Sequence, residues 1–143
     1  MLLGLYPSIL ETDNRLALPD EIHEDYQEGL YVTRGFDRNI MVLTMEAFES
    51  IYDRITTFNL ADPVARLLLR MILSSAQKTE LNPDGRIPIP ESLKEYAALE
   101  QDVIIVGQGD FIEVWSPDAW TKQEEHLLNV EPDHFSTLHI TTQ

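Results

Sequence analysis

The stretch LETDNRLALP (residues 10–19) returns as LNPDGRIPIP (residues 81–90), with Arg15 matched to Arg86 and LALP to IPIP at an offset of 71. At an offset of 72, YVTRG (residues 31–35) matches VIIVG (residues 103–107) and TMEAF (residues 44–48) matches SPDAW (residues 116–120). Matches that keep their order over this distance predict a chain built from two half-domains of one design.

Each copy reads in the same sequence of elements. After a strand and a tight turn, Leu16 and Leu18 (Ile87 and Ile89 in the second copy) alternate as one face of a return strand. Pro19 or Pro90 then opens a short helix carrying Ile22 and Tyr26, or Leu93 and Ala97. A second hairpin follows, LYVTR with IMVLT in the first copy and DVIIVG with FIEVWS in the second. Thr44 or Ser116 supplies a hydroxyl to cap the next helix, on which Phe48, Ile51, Tyr52 and Ile55 recur at helical spacing in the first copy. Between the copies, Asp62 and Pro63 are an N-cap and first position for a separate helix with Val64, Leu67, Leu68, Met71 and Ile72 on one face. The expected organisation is a first half over residues 1–57, a connecting helix over 58–76, a second half over 77–128 and an acidic-to-polar tail over 129–143. The fold class is α+β, mainly β with flanking helices.

The repeated stretch also specifies its turn. A three-residue hairpin loop is commonly a type I turn followed by one residue in the left-handed region, where Gly is best and Asn is tolerated. Thr12-Asp13-Asn14 and Pro83-Asp84-Gly85 both satisfy this. Glu11 then faces Arg15 across the first loop and Asn82 faces Arg86 across the second. A carboxylate in that place is a brace, holding part of the guanidinium while its other donors point outward; Asn82 offers only a neutral acceptor.

Composition narrows the function. The chain has 143 residues, 43% of them hydrophobic, enough for one core without cross-links, and zero cysteines exclude disulfides and thiolate chemistry. The N-terminal MLLGLYPSIL lacks the basic flank and cleavage pattern of a signal peptide, and no apolar run reaches the roughly 18 residues of a membrane span, so a cytoplasmic protein without membrane contact is expected. The 10 basic and 25 acidic residues give a net charge of −15. Six basic and twelve acidic residues lie in 1–75, and four and thirteen in 76–143, so neither half is a basic module. That balance argues against extended non-specific binding to nucleic acid and leaves room for a local basic site. Glu124, Glu125, Glu131 and Asp133 follow the last lysine, Lys122, and read as a solvated end.

Enzyme signatures are lacking. His23, His126, His134 and His139 have neither HxxxH nor HExxH spacing, so no metal site is expected. GQGDFI (residues 107–112) has two glycines of a dinucleotide fingerprint but leads into a strand, and neither a Walker loop nor a serine elbow is present. No cofactor and no small-molecule substrate are expected.

The paired pattern of an acidic or amide residue, three loop residues, Arg and an apolar-x-apolar-Pro, with the YVTRG-like and helix-cap segments of each half, resembles the MraZ family of bacterial transcriptional regulators. The resemblance covers residues 1 to about 125. It implies two tandem AbrB-like halves forming a swapped-hairpin β-barrel, assembled into a homo-oligomeric ring. It also implies binding to repeated double-stranded DNA elements upstream of the division and cell-wall gene cluster, normally as a repressor on the nucleoid. Carried onto this sequence, Arg15 and Arg86 are the DNA contacts, Glu11 and Asn82 the braces, and Asp13, Asn14, Asp84 and Gly85 the turn residues. The family's first position is usually Asp, and its first loop often has a Lys before a Gly; Asp13 and Asn14 stand there, so carboxylates flank the arginines and oppose close phosphate approach.

Other residues take local readings. Arg66 and Arg70, one turn apart on the connecting helix, are expected to contact another subunit. Arg34 and Arg38 bracket a hairpin tip and read as structural, because Val106 replaces Arg34 in the second copy. Trp115 and Trp120 read as core. The expected function is a sequence-specific DNA-binding regulator that gains affinity by multivalency; the alternative is an oligomeric protein-interaction scaffold of the same fold that has lost DNA binding.

Overall fold

Strands with alternating apolar residues from the two halves interlock. The computed structural model describes residues 1–140. Its strands are β1 (Leu5–Ile9), β2 (Arg15–Ala17), β3 (Leu30–Arg34), β4 (Ile40–Thr44), β5 (Gln77–Thr79), β6 (Arg86–Pro88), β7 (Asp102–Gly107) and β8 (Phe111–Trp115). The two hairpins expected from sequence form, β3 with β4 and β7 with β8, all antiparallel. They join at the centre of a six-stranded sheet through β4 and β8, with Val42 opposite Ile112. β1 pairs antiparallel with β7 and β5 with β3, giving the order β1-β7-β8-β4-β3-β5. The first strand of each half is thus held by the hairpin of the other.

The first hairpin of each half differs from the sequence expectation. After its turn, β2 returns to its own first strand through a single bridge, Leu10 to Leu16, and then pairs antiparallel with β6 in a separate two-stranded ribbon. The reason lies in the inward residues. Leu16 and Ile87 are both fully buried and directly opposite each other, so pairing the return strands places both apolar faces over one core. The described strands form an open sheet plus this ribbon, in place of the closed barrel that the resemblance implies.

That core is built from equivalent positions of the two halves. Leu10, Leu16, Leu18, Ile22 and Tyr26 pack in one cluster with Leu81, Ile87, Ile89, Leu93 and Ala97. Tyr26 is fully buried and donates its hydroxyl to the carbonyl of Val42 at 2.6 Å. Burial pushes its phenol well above the ordinary value, so it stays a neutral donor. The short helix after the motif takes two forms: successive 3-10 turns at Asp20–Ile22 and Glu24–Tyr26, and an α-helix, α1, at Glu91–Tyr96.

Three longer helices complete the fold. α2 (Met45–Ile55) is capped by Thr44, whose hydroxyl accepts from the Ala47 amide at 3.1 Å, and α4 (Pro117–Asn129) by Ser116, which accepts from Ala119 at 3.2 Å. α3 (Pro63–Leu73) starts at Asp62, which accepts from Val64 at 2.9 Å. A second core joins Met41, Leu43, Phe48, Ile55 and Ile72, and Phe48 stacks on Tyr31 with ring centroids 3.9 Å apart. The inner face of α3 is Ala65, Leu68, Leu69 and Ile72, whereas Val64 and Leu67 of the expected stripe are 71% and 66% exposed. Trp115 is buried as expected, and Trp120 meets it edge-on at 5.5 Å. The tail contains an exposed 3-10 segment, Pro132–Leu138, and its last residues, 141–143, lie outside the described residues. No described helix is long and apolar enough to cross a membrane.

Candidate nucleic-acid interface

The β2–β6 ribbon decides where the two arginines go. Its register is Arg15 to Pro88, Leu16 to Ile87 and Ala17 to Arg86, so the halves are related by a local two-fold through the Leu16–Ile87 pair. Two further bonds obey the same symmetry, from Leu18 N–H to Gly85 O at 3.0 Å and from Ile89 N–H to Asn14 O at 2.8 Å. With Leu16 and Ile87 facing the core, strand alternation turns Arg15 and Arg86 to the outer face.

The two loops have matching geometry. Glu11 N–H donates to Arg15 O and Asn14 N–H to Glu11 O, each at 2.9 Å; Asn82 N–H to Arg86 O and Gly85 N–H to Asn82 O are also 2.9 Å. Asn14 (φ 61°) and Gly85 (φ 80°) occupy the left-handed position expected of each. Gly85 is doubly constrained, because a Cβ there would lie 2.6 Å from the His23 ring.

The braces are crossed. Glu11 accepts from Nε of Arg86 at 3.0 Å, so the carboxylate of the first loop holds the arginine of the second. Asn82 contacts Arg86 through backbone only; among the described residues its side chain makes no hydrogen bond to it. Arg15 instead donates Nε to Asp13 at 2.8 Å and Nη1 to Asp84 of the other loop at 3.2 Å. Asp13 is the main cause of a raised Arg15 pKa; desolvation opposes it, and Asp84 adds a smaller rise. Asp84 is the hub: its carboxylate also accepts from the Arg86 amide at 3.3 Å, and its carbonyl from Arg86 Nη1 at 2.7 Å. The Arg15 and Arg86 side chains stay 36% and 33% exposed, and among the described residues neither Nη2 has a protein partner. Two neighbours escaped sequence reading. Glu91 accepts from Asn14 Nδ2 at 2.6 Å, and Lys94 donates to Asn14 Oδ1 at 3.1 Å, which puts a third cation beside the first loop. Their sequence signal is their place on the short helix after the second motif, Glu91 in its first turn and Lys94 in its last.

A family model described as "MraZ protein, putative antitoxin-like" matches residues 72–136, which include the second motif. The chain is 33% identical over 132 residues to the "Transcriptional regulator MraZ" of Thermomicrobium roseum, covering 92% of this chain and 93% of that protein. It is 34% identical over 143 residues to the protein of the same name from Herpetosiphon aurantiacus, covering 98% and 100%. It is 35% identical over 120 residues to that of Micrococcus luteus, covering 84% of each. The chain belongs to the MraZ family.

The remaining predicted residues of this MraZ-family chain lie away from the ribbon's outer face. Arg34 and Arg38 sit over the Tyr96 ring, 5.7 and 5.1 Å from its centroid, while Tyr96 donates its hydroxyl to Gly35 O at 2.7 Å. They clamp the end of α1 against the β3–β4 tip, a local structural role. On α3, Arg66 donates to the carbonyl of Leu60 at 2.8 Å, closing the loop before the helix, and Arg70 is exposed. Among the described residues no three His, Asp or Glu side chains group as metal ligands. Chemically, the ribbon offers two partly exposed cationic forks on strands related by a two-fold, each held by different partners, an arrangement suited to phosphate or base-edge recognition.

Proposed function

We propose that this chain is a sequence-specific DNA-binding transcriptional regulator of the cytoplasm and nucleoid. In this reading it acts as a homo-oligomeric ring on direct repeats upstream of the division and cell-wall gene cluster, and represses it. It works without catalysis, cofactor, small-molecule substrate or membrane. Residues 1–57 and 77–128 are its two recognition halves, joined by 58–76. The observation that carries the reading is the outward pair Arg15 and Arg86, fixed on one ribbon by a two-fold, with Nη2 of each left for a ligand. The bearing of the relatives named as transcriptional regulators is consistent with it. A ring repeats this pair, and each engaged repeat raises the effective concentration for the next.

One observation favours the alternative, an oligomeric scaffold that has lost DNA binding: Asp13 and Asp84 already hold Arg15. Titration against the protein's own upstream DNA at two salt concentrations separates the two. The regulator binds specifically with a steep salt dependence, which Arg15→Ala and Arg86→Ala each weaken and flatten. Asp13→Lys, which removes a carboxylate bonded to Arg15, tightens binding most at low salt. Absence of specific binding by the parent establishes the scaffold instead. Arginine variants that bind as well as the parent reject the site.

A further inference from the structure

We infer that α4 of one copy docks on the outer face of α3 of the next, in a head-to-tail contact. This rests on the oligomeric part of the proposed function and specifies the surface. The internal repeat supplies the reasoning. At an offset of 72, α4 is the counterpart of α2: Trp120 stands for Phe48, Gln123 for Ile51 and Leu127 for Ile55. In the first half α3 folds back over α2, so Ile55 is 5% exposed; in the second half, among the described residues, no helix folds back, and Leu127 is 50% and Leu128 81% exposed. The chain after α4 forms the 3-10 segment Pro132–Leu138, itself exposed throughout. Among the described residues, the second half therefore has no equivalent of the helix that covers its counterpart.

The chain's own α3 cannot supply that cover. It packs against β3, whereas α4 packs against β7, and β8 and β4 separate these strands in the sheet. Yet α3 has a second apolar face turned away from its own core. Leu60, Val64 and Leu67 there are 61%, 71% and 66% exposed, beside a shallow groove lined by Phe58, Asn59, Asp62, Val64, Ala65 and Leu68. Exposed leucines in both places mark surfaces that gain from burial against each other.

Charge selects the pairing. α3 carries Arg66 and Arg70 and no carboxylate within its span, while α4 and the segment after it carry Asp118, Glu124, Glu125, Glu131 and Asp133 against the single lysine Lys122. An α3–α3 contact brings arginines together, and an α4–α4 contact brings carboxylates together. Only α3 against α4 joins opposite signs. Because the two surfaces differ, each copy keeps one of each free after a single contact, so the contact propagates to further copies.

The test is light scattering of the full chain at micromolar concentration with Leu67→Glu and Leu127→Glu, both at exposed sites where the far-UV spectrum is expected to be unchanged. The parent runs as a multimer, and each variant falls to the mass of one chain, 16.4 kDa. Mixing the two variants, one with an intact α4 and the other with an intact α3 face, gives two chains per particle and no more. If the parent is a multimer and both variants keep its mass, the docking surface is wrong while the oligomeric reading stands. A variant effect at Leu67 alone overturns the inference in favour of an α3–α3 contact. A monomeric parent removes both.

Discussion

The crossed brace can be measured by a double-mutant cycle on Glu11, Arg15 and Arg86. Glu11 and Arg86 meet through one charge-assisted bond of 3.0 Å with side chains 31% and 33% exposed. Unit charges about 4 Å apart interact by about 1 kcal/mol in bulk water and about 4 kcal/mol at an effective dielectric constant of 20. Partial exposure screens the pair, and ordering two long side chains offsets more, leaving about 1 kcal/mol of coupling, roughly a fivefold change in the folded-to-unfolded ratio. The cycle compares Glu11→Ala, Arg86→Ala and the double variant by urea unfolding at one protein concentration, with equal slopes required for the comparison. The coupling shrinks at high salt, as the pair is partly open to solvent. A parallel cycle of Glu11→Ala with Arg15→Ala shows weaker coupling, because Asp13 and Asp84 bond Arg15 directly while Glu11 adds only a smaller charge attraction. If Glu11 couples to Arg15 as strongly as to Arg86, each loop braces its own arginine and the crossed geometry is refuted.

Leu16→Ala and Ile87→Ala each remove a fully buried side chain at the ribbon's two-fold, so each is expected to cost about 2–5 kcal/mol in urea unfolding; less than about 1 kcal/mol would show that the ribbon does not sit on the core. The double variant should lose less than the sum, since the two residues share one site. Burial pushes the Glu113 carboxyl above its ordinary value, against a hydrogen bond from Trp115 that lowers it. The stability this acid allows is therefore full below the ordinary carboxylate range and declines as pH rises through its raised folded value. Glu113→Gln, which keeps an acceptor for Trp115, should stabilise the protein at pH 7 and have no benefit below about pH 4; equal benefit at both pH values by thermal melting rejects titration as the cause.

Local chemistry was legible in the sequence, and partnership was not. Asn14 and Gly85 announced a left-handed turn position, Thr44, Ser116 and Asp62 announced caps, and the core periodicity placed Leu16, Ile22, Leu93 and Trp115 correctly. Each depends on residues a few positions apart. Alternation, however, states which face of a strand is buried and is silent on which strand lies beside it. For that reason β2 reads equally well as the partner of the strand before its turn or of β6. The Glu11–Arg86 pair inherits the same ambiguity. The stripe on α3 was misplaced by about one position because Ala65, small enough to pack tightly, carries little weight in an apolar pattern, whereas Val64 and Leu67 carry much and face outward.

The ribbon ties competence to completion of the chain. β2 and β6 lie 71 residues apart in sequence, a delay of about 4–14 s at ordinary rates of synthesis. Until the second strand emerges, Leu16 has no Ile87 beneath the same two-fold and Arg86, Asp84 and their loop do not yet exist. A nascent or prematurely terminated N-terminal fragment accordingly presents Arg15 alone, on an unpaired three-residue strand. Under the proposed function, such a fragment lacks Arg86 and is expected to bind DNA more weakly than the finished chain, so each working copy requires a chain read through the second motif.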